Sequence, residues 1–110
     1  MRNMSSGWSR GRLEAAPPPE AGERFELVAR FGDVEIEQIV SSASPDDVLY
    51  DQPEDEWVVV RTGHATLWVD GATVELTADD WLFLPARVPH RVVATAPGTT
   101  WLAVRRHPSD

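Results

Sequence analysis

From Phe25 onward the chain never sustains apolar residues at helical spacing; short apolar runs are cut every few positions by Gly, Pro, Asp, Asn-like turn formers or Ser. Such a chain can satisfy its backbone only in strands that pair with one another. The runs that read as strands are "FELVAR", "VEIEQIV", "VLYDQ", "EWVVVR", "ATLWV", "TVELT", "WLFLP", "HRVVAT" and "TWLAVR". Asp70-Gly71 between "ATLWV" and "TVELT" suits a two-residue hairpin, because both positions must take positive φ, and Thr62-Gly63 marks a second tight reversal. About eight to nine short strands with no crossover helix predict an all-β sandwich, jelly roll or closed barrel.

At 110 residues there is room for one core. Residues 1–23 mix Ser, Gly and Arg with "PPP", a composition unable to bury much surface, and predict a flexible or extended N-terminal arm. The β-domain is expected over 24–107, with a short tail at 108–110. Cysteine is absent, which removes disulfides, thiolate metal sites and Cys nucleophiles. The opening residues lack the apolar core of a signal peptide and no run is long enough to span a membrane, so a cytoplasmic protein without a membrane partner is expected. The formal charge is -8 and the basic residues are scattered arginines, which disfavours nucleic acid as a partner. No phosphate-binding Gly loop and no nucleophile-elbow Ser is present.

Strand alternation sorts the side chains. In "EWVVVR" the residues Glu56, Val58 and Val60 share one face, with Trp57, Val59 and Arg61 on the other. Glu56 therefore stands at the end of a core-facing row, where a buried carboxylate costs several kcal/mol unless a cation or strong hydrogen bonds compensate, roughly the penalty of an unpaired buried charge. The stretch "WLFLPARVPHRVVAT" supplies a candidate for that compensation. Pro85 ends one run and Pro89 stiffens the corner; His90 opens the next strand, with Val92 and Ala94 on its face and Arg91 and Val93 opposite.

Glu56 followed by Gly63, and Asp80, Pro85 and His90 in that order, resemble the two motifs of the cupins, small jelly-roll β-barrels. The resemblance runs over about residues 35–105, and "VEIEQIVSSASP", "YDQPEDEWVVV" and "LPARVPHRV" are similar to small bacterial single-domain cupins. It implies a cupin-type jelly-roll barrel and a cavity that binds a divalent metal ion. It also implies chemistry on, or binding of, a small polar or anionic molecule, such as oxygenation or isomerisation. The chain departs from the pattern: Tyr50 and Gln52 stand where the family has two histidines, Asp79 and Arg87 where it has glycines, and Ala94 where an Asn is frequent. Gln52 can offer an amide oxygen and Tyr50 a phenolic one, on a shared strand face.

The candidate metal ligands are thus Gln52, Glu56 and His90, and the candidate catalytic groups His90, Glu56 and Tyr50. One imidazole with two or three oxygens suits Mn, Fe, Ni or Zn. Two alternatives stay open: a metal-independent acid/base isomerase or epimerase, and a non-catalytic small-molecule binding or sensor module. Trp57, Trp68, Trp81 and Trp101 read as core or interface and suggest a homodimer. Arg87, Arg91 and Arg105 could bind an anionic substrate, with surface placement the default; His64 and His107 are expected without a role, and Asp79 and Asp80 in a turn.

Overall fold

The computed structural model describes residues 7–14 and 16–108. Of the arm expected over 1–23, residues 1–6 and 15 lie outside the described residues, as do 109 and 110 of the tail. Eight strands follow one another: β1 (Glu23–Phe31), β2 (Val34–Ser41), β3 (Asp55–Thr62), β4 (His64–Val69), β5 (Ala72–Thr77), β6 (Trp81–Leu84), β7 (His90–Thr95) and β8 (Thr99–Arg106). They form a five-stranded sheet in the order β1-β2-β8-β3-β6 and a three-stranded sheet in the order β5-β4-β7, every pair antiparallel. This is the all-β jelly roll expected, and no helix interrupts it among the described residues. None is therefore long and apolar enough to cross a membrane.

The alternation read from "EWVVVR" is present: Glu56, Val58 and Val60 are buried while Trp57 and Val59 are half-buried on the other face. Val58 and Val60 join Ile39, Trp101 and Ala103 of the same sheet and meet Ala65, Leu67 and Leu76 of the three-stranded sheet. Each such side chain contributes about 1.5–3 kcal/mol by leaving water, which makes these facing rows the main stabilising term. Asp70 and Gly71, with φ of 46° and 92°, close the β4–β5 hairpin as expected.

Two expectations are corrected. The run "VLYDQ" is a loop, in which Tyr50 makes one isolated antiparallel bridge to His90. Pro45 and Pro53 flank it, Asp47 takes a positive φ of 55°, and Val48 and Leu49 are exposed, so no apolar face exists for a strand to bury. Ala94 does not share the inner row of His90 and Val92. A β-bulge shifts the register where Leu67 pairs with Val92 and Thr66 with Ala94, so Ala94 turns out and Thr95 turns in.

The passage from β3 in one sheet to β4 in the other is made by Gly63 alone, at φ 86°. A Cβ there would stand 2.3 Å from Thr99 Oγ1 and 2.9 Å from Thr99 Cα. Thr99 is fully buried, and its Oγ1 lies 2.7 Å from the Ala96 carbonyl and accepts from the His64 N–H at 3.3 Å. Neither side can yield. Gly63→Ala is therefore expected to destabilise the fold by about 1–3 kcal/mol from backbone strain alone, read as a lowered midpoint in urea unfolding; an unchanged midpoint would contradict this account of the corner.

Candidate functional site

The inner rows of a small barrel are apolar where the sheets close and turn polar where they part. Glu56, the second residue of β3, pairs with Leu84 on β6 and with Arg105 on β8. On β8 the alternation Trp101, Ala103, Arg105 brings the guanidinium to the same inner face. On β2 the inner residues are Glu37, Ile39 and Ser41, opposite Ala103, Trp101 and Thr99. Of these, Glu56, Leu84 and Arg105 border a cavity of about 70 Å³ with an apolar floor of Ile39, Val58, Leu67 and Trp101. Tyr50, Gln52, Glu56 and His90, singled out in the sequence, all line it.

His90 is fixed from three directions. Its backbone exchanges two hydrogen bonds with Tyr50, Tyr50 N–H to His90 O at 2.8 Å and His90 N–H to Tyr50 O at 3.0 Å. Its ring stacks on the Tyr50 ring, with centroids 5.5 Å apart. Its Nδ1 lies 3.0 Å from the Val88 carbonyl, and since that oxygen can only accept, Nδ1 carries a hydrogen, which makes Nε2 the electron-pair donor of the neutral ring. Nε2 faces Glu56 Oε1 at 4.0 Å, and both side chains are only 8% exposed. That distance is too long for a hydrogen bond.

Gln52 donates from Nε2 to Glu56 Oε1 at 3.0 Å, the amide being oriented by that partner. Its backbone is held by the next corner, where the Arg87 N–H donates to the Gln52 carbonyl at 2.8 Å and the Arg87 guanidinium donates to the Asp51 carbonyl at 3.1 Å. Arg87 itself is exposed, as expected, but takes a φ of 69°. Burial pushes the Tyr50 phenol above its ordinary pKa, with the carboxylates of Glu23 and Asp46 adding to the effect. It keeps its proton at neutral pH, which suits a hydrogen-bond donor better than a direct metal ligand.

Arg105 is corrected from the surface to the cavity wall, and Glu37 and Glu23 were missed. The guanidinium bonds Glu37 Oε1, lies 3.5 Å from Glu56 Oε2, and stands over the Phe25 ring at 5.8 Å. Its Nε is buried without a partner. The signal was available in "TWLAVRR", where Arg105 continues the inner row of Trp101 and Ala103. Arg91 reaches outward to Asp47 at 3.4 Å, and His64 is exposed. His107 pairs with Glu35 outside the cavity. Asp80 caps its turn by accepting from the Thr77 backbone at 2.8 Å, beside Asp79 at φ 74°.

Among the described residues no three His, Asp or Glu side chains converge closely enough to hold a metal. A metal here would have to use Gln52 as well. The donor set meets that requirement in chemistry: ligand atoms about 2.0–2.2 Å from one ion stand at most about 4.4 Å apart. The Glu56–His90 spacing of 4.0 Å falls inside that limit, as does the 3.0 Å between Glu56 and the Gln52 amide, which presents its oxygen after a half-turn.

The fold and this arrangement of polar residues at the barrel mouth define a small cupin, and comparison with known proteins agrees. The family profile described as a cupin domain matches residues 43–104, and the chain belongs to that family. A "putative mannose-6-phosphate isomerase" from Ralstonia eutropha is 38% identical, with a TM-score of 0.77 over 91% of this chain and 99% of that one. An RmlC-like cupin from Shewanella frigidimarina has a TM-score of 0.75 at 18% identity, covering 96% of this chain and 95% of that one. One from Desulfovibrio desulfuricans has a TM-score of 0.73 at 22% identity, covering 89% and 94% respectively. No curated protein matches the chain.

Removing the cation from the wall strands two inward carboxylates. Arg105→Met is expected to cost about 2 kcal/mol, below the 3–5 of a fully buried pair because the side chain keeps some exposure, and adding Glu37→Gln is expected to recover part of it. A double-mutant cycle of chemical unfolding checks this; additive losses would show that the two groups act independently.

Proposed function

We propose that the protein binds a small polar molecule in the barrel cavity, at a site where Glu56, His90 and Gln52 would hold a divalent metal ion. One observation supports this most directly: two buried electron-pair donors, His90 Nε2 and Glu56 Oε1, face each other at 4.0 Å, with the far nitrogen of the imidazole already engaged by a backbone carbonyl. Such an ion would polarise a carbonyl or activate water. The residues of this chain would orient the molecule, Tyr50 as a donor and the apolar floor by excluding water.

The name of the Ralstonia relative suggests a sugar phosphate, but the wall argues for a different ligand here. Glu23 and Glu56 line the cavity, and its one cation, Arg105, is engaged by Glu37 and Glu56. Among the described residues no side-chain cation on the wall is then left unpaired, so a phosphate dianion would have to bind through the metal ion itself.

For the metal, the expected result is near-stoichiometric Mn, Fe, Ni or Zn in the purified protein by elemental analysis, lost in His90→Ala and Glu56→Ala. Equal trace metal in all three defeats the metal reading. It would leave the acid/base reading, which the stacking of the undissociated Tyr50 on His90 favours. In that case a chelator leaves catalysis intact while His90→Ala removes it.

A homodimer is the assembly we propose. By register, Trp57, Val59, Trp81, Phe83, Leu102 and Val104 share the outer face of the five-stranded sheet. Trp81 is 61% and Phe83 52% exposed, and Trp57 stacks on Trp81 with centroids 6.3 Å apart. An apolar sheet face of this kind is an association surface, and a second copy meets it with the same surface. Sedimentation is expected to give a dimer for the native chain and a monomer for Trp81→Glu with an unchanged β-rich circular dichroism spectrum; a monomeric native chain would sink the proposal.

A further inference from the structure

The first residue of β1 carries a carboxyl that the site described above does not use. Glu23 pairs in register with Ser41 on β2, and Ser41, fully buried, donates its Oγ–H to Glu23 Oε2 at 2.7 Å. Ser41 in turn accepts from Trp101 Nε1 at 2.9 Å, and Trp101 belongs to the core. A rigid indole thus orients a hydroxyl, which orients one oxygen of the carboxyl. The other oxygen has no hydrogen-bond partner among the described residues.

The chain just before Glu23 is locked as well. Gly22 takes a φ of 68°, donates to the Ser44 carbonyl at 2.7 Å and accepts from Ser42 at 3.0 Å. A Cβ on it would stand 2.4 Å from Asp46 Oδ1. Glu23 is therefore delivered to the cavity by the fold rather than by a free arm. It lines the main cavity together with Tyr50, Gln52, Glu56 and His90. It also borders a second hollow of about 10 Å³ beneath the loop that carries Pro45 to Val48, about the room of one water. A carboxyl between a ligand-sized space and a water-sized one can exchange its proton with solvent while facing a ligand.

We propose that Glu23 is a ligand-facing acid of the cavity, which donates a hydrogen bond from its undissociated carboxyl to a carbonyl or hydroxyl oxygen of a small uncharged molecule held beside Glu56 and His90. This rests on the reading that the cavity binds a small polar molecule. The cavity of about 70 Å³ holds the equivalent of roughly five waters, which limits the molecule to a handful of heavy atoms. Since among the described residues no three acidic or imidazole groups gather closely enough for a metal, Glu23 is set apart from the Glu56–His90 pair and meets the ligand from elsewhere on the wall.

The surroundings favour the protonated carboxyl. Burial raises the Glu23 pKa, the Ser41 hydrogen bond opposes this, Asp46 and Glu56 add to the rise, and Arg105 acts against it. The remaining titratable groups on the cavity wall are Tyr50 and His90. Because the folded pKa lies above the unfolded one, the fold binds the proton more tightly. The stability contribution of Glu23 is complete below the ordinary carboxylate range and is lost as pH rises through the folded value.

The test uses the full chain, treated with chelator, and hydroxyacetone as probe, followed by amide shifts in nuclear magnetic resonance between acid and alkaline pH. Wild-type affinity is expected to fall about tenfold as Glu23 loses its proton, the effect of one lost hydrogen bond to a buried group. In Glu23→Gln the amide oxygen accepts from Ser41 and the NH2 faces the cavity, so the pH dependence is lost and alkaline binding exceeds that of wild type. Glu23→Ala binds weakly throughout. Thermal unfolding gives a second measurement: Glu23→Gln gains on wild type as pH rises. Hydroxyacetone binding with the same pH dependence in wild type and Glu23→Gln overturns the role of Glu23 while leaving the cavity reading intact. No shift of cavity amides in wild type overturns both.

Discussion

Among the described residues Arg105 is the one arginine on the cavity wall, and the polar mouth of the barrel depends on its guanidinium. Three strands of the five-stranded sheet turn carboxyls to its inner face: Glu23 from β1, Glu37 from β2 and Glu56 from β3. Their register is set by apolar pairing lower in the rows, where Ile39, Val58, Trp101 and Ala103 close the core. A one-residue slip would turn those side chains to solvent, so the acids are carried inward whether or not their charges are welcome. Arg105, on the strand between β2 and β3, bonds Glu37 and reaches Glu56, which makes the sheet tolerable at its polar end.

Much of this was legible in the sequence. Period-two alternation placed Glu56, Val58 and Val60 inward, and the Pro85–Pro89 corner delivered His90 to the wall. What escaped did so for physical reasons. Arg105 and Glu23 were assigned by residue type and composition, whereas their strands, once formed, fix their direction regardless of charge. Ala94 was misplaced because a bulge resets alternation, and nothing in "HRVVAT" marks the extra residue. "VLYDQ" reads as a strand by its apolar start, yet the prolines on either side leave it one bridge. That bridge still puts Tyr50 against His90, so the site was recovered although the element was not.

The departures from the family pattern also separate chemistry from backbone shape. Asp79 and Arg87 stand where glycines are usual, yet both hold positive φ, 74° and 69°. For residues with a Cβ this conformation carries strain of order 1–3 kcal/mol. The fold offsets it locally. Asp80 caps the turn next to Asp79, and the Arg87 backbone and side chain bond Gln52 and Asp51. At Gly63 no such substitution occurs, because Thr99 occupies the space a side chain would need. The backbone path is therefore retained at all three corners, while the side chain changes only where there is room for it.

Replacing two histidines by Tyr50 and Gln52 alters the electrostatics of the mouth more than its shape. Neither residue adds positive charge, and Tyr50 is held undissociated by burial and by the acids around it. Glu37 and Glu56 share the Arg105 guanidinium, whereas burial of Glu23 favours its protonated form, since an unpaired buried carboxylate is expensive. Glu56 Oε1 and His90 Nε2 face each other at 4.0 Å without a hydrogen bond, a gap that a cation or a hydrogen donor between them would satisfy. On this charge balance, the ligand we propose is a small molecule that brings oxygen acceptors to Glu23 and Tyr50 without bringing charge of its own.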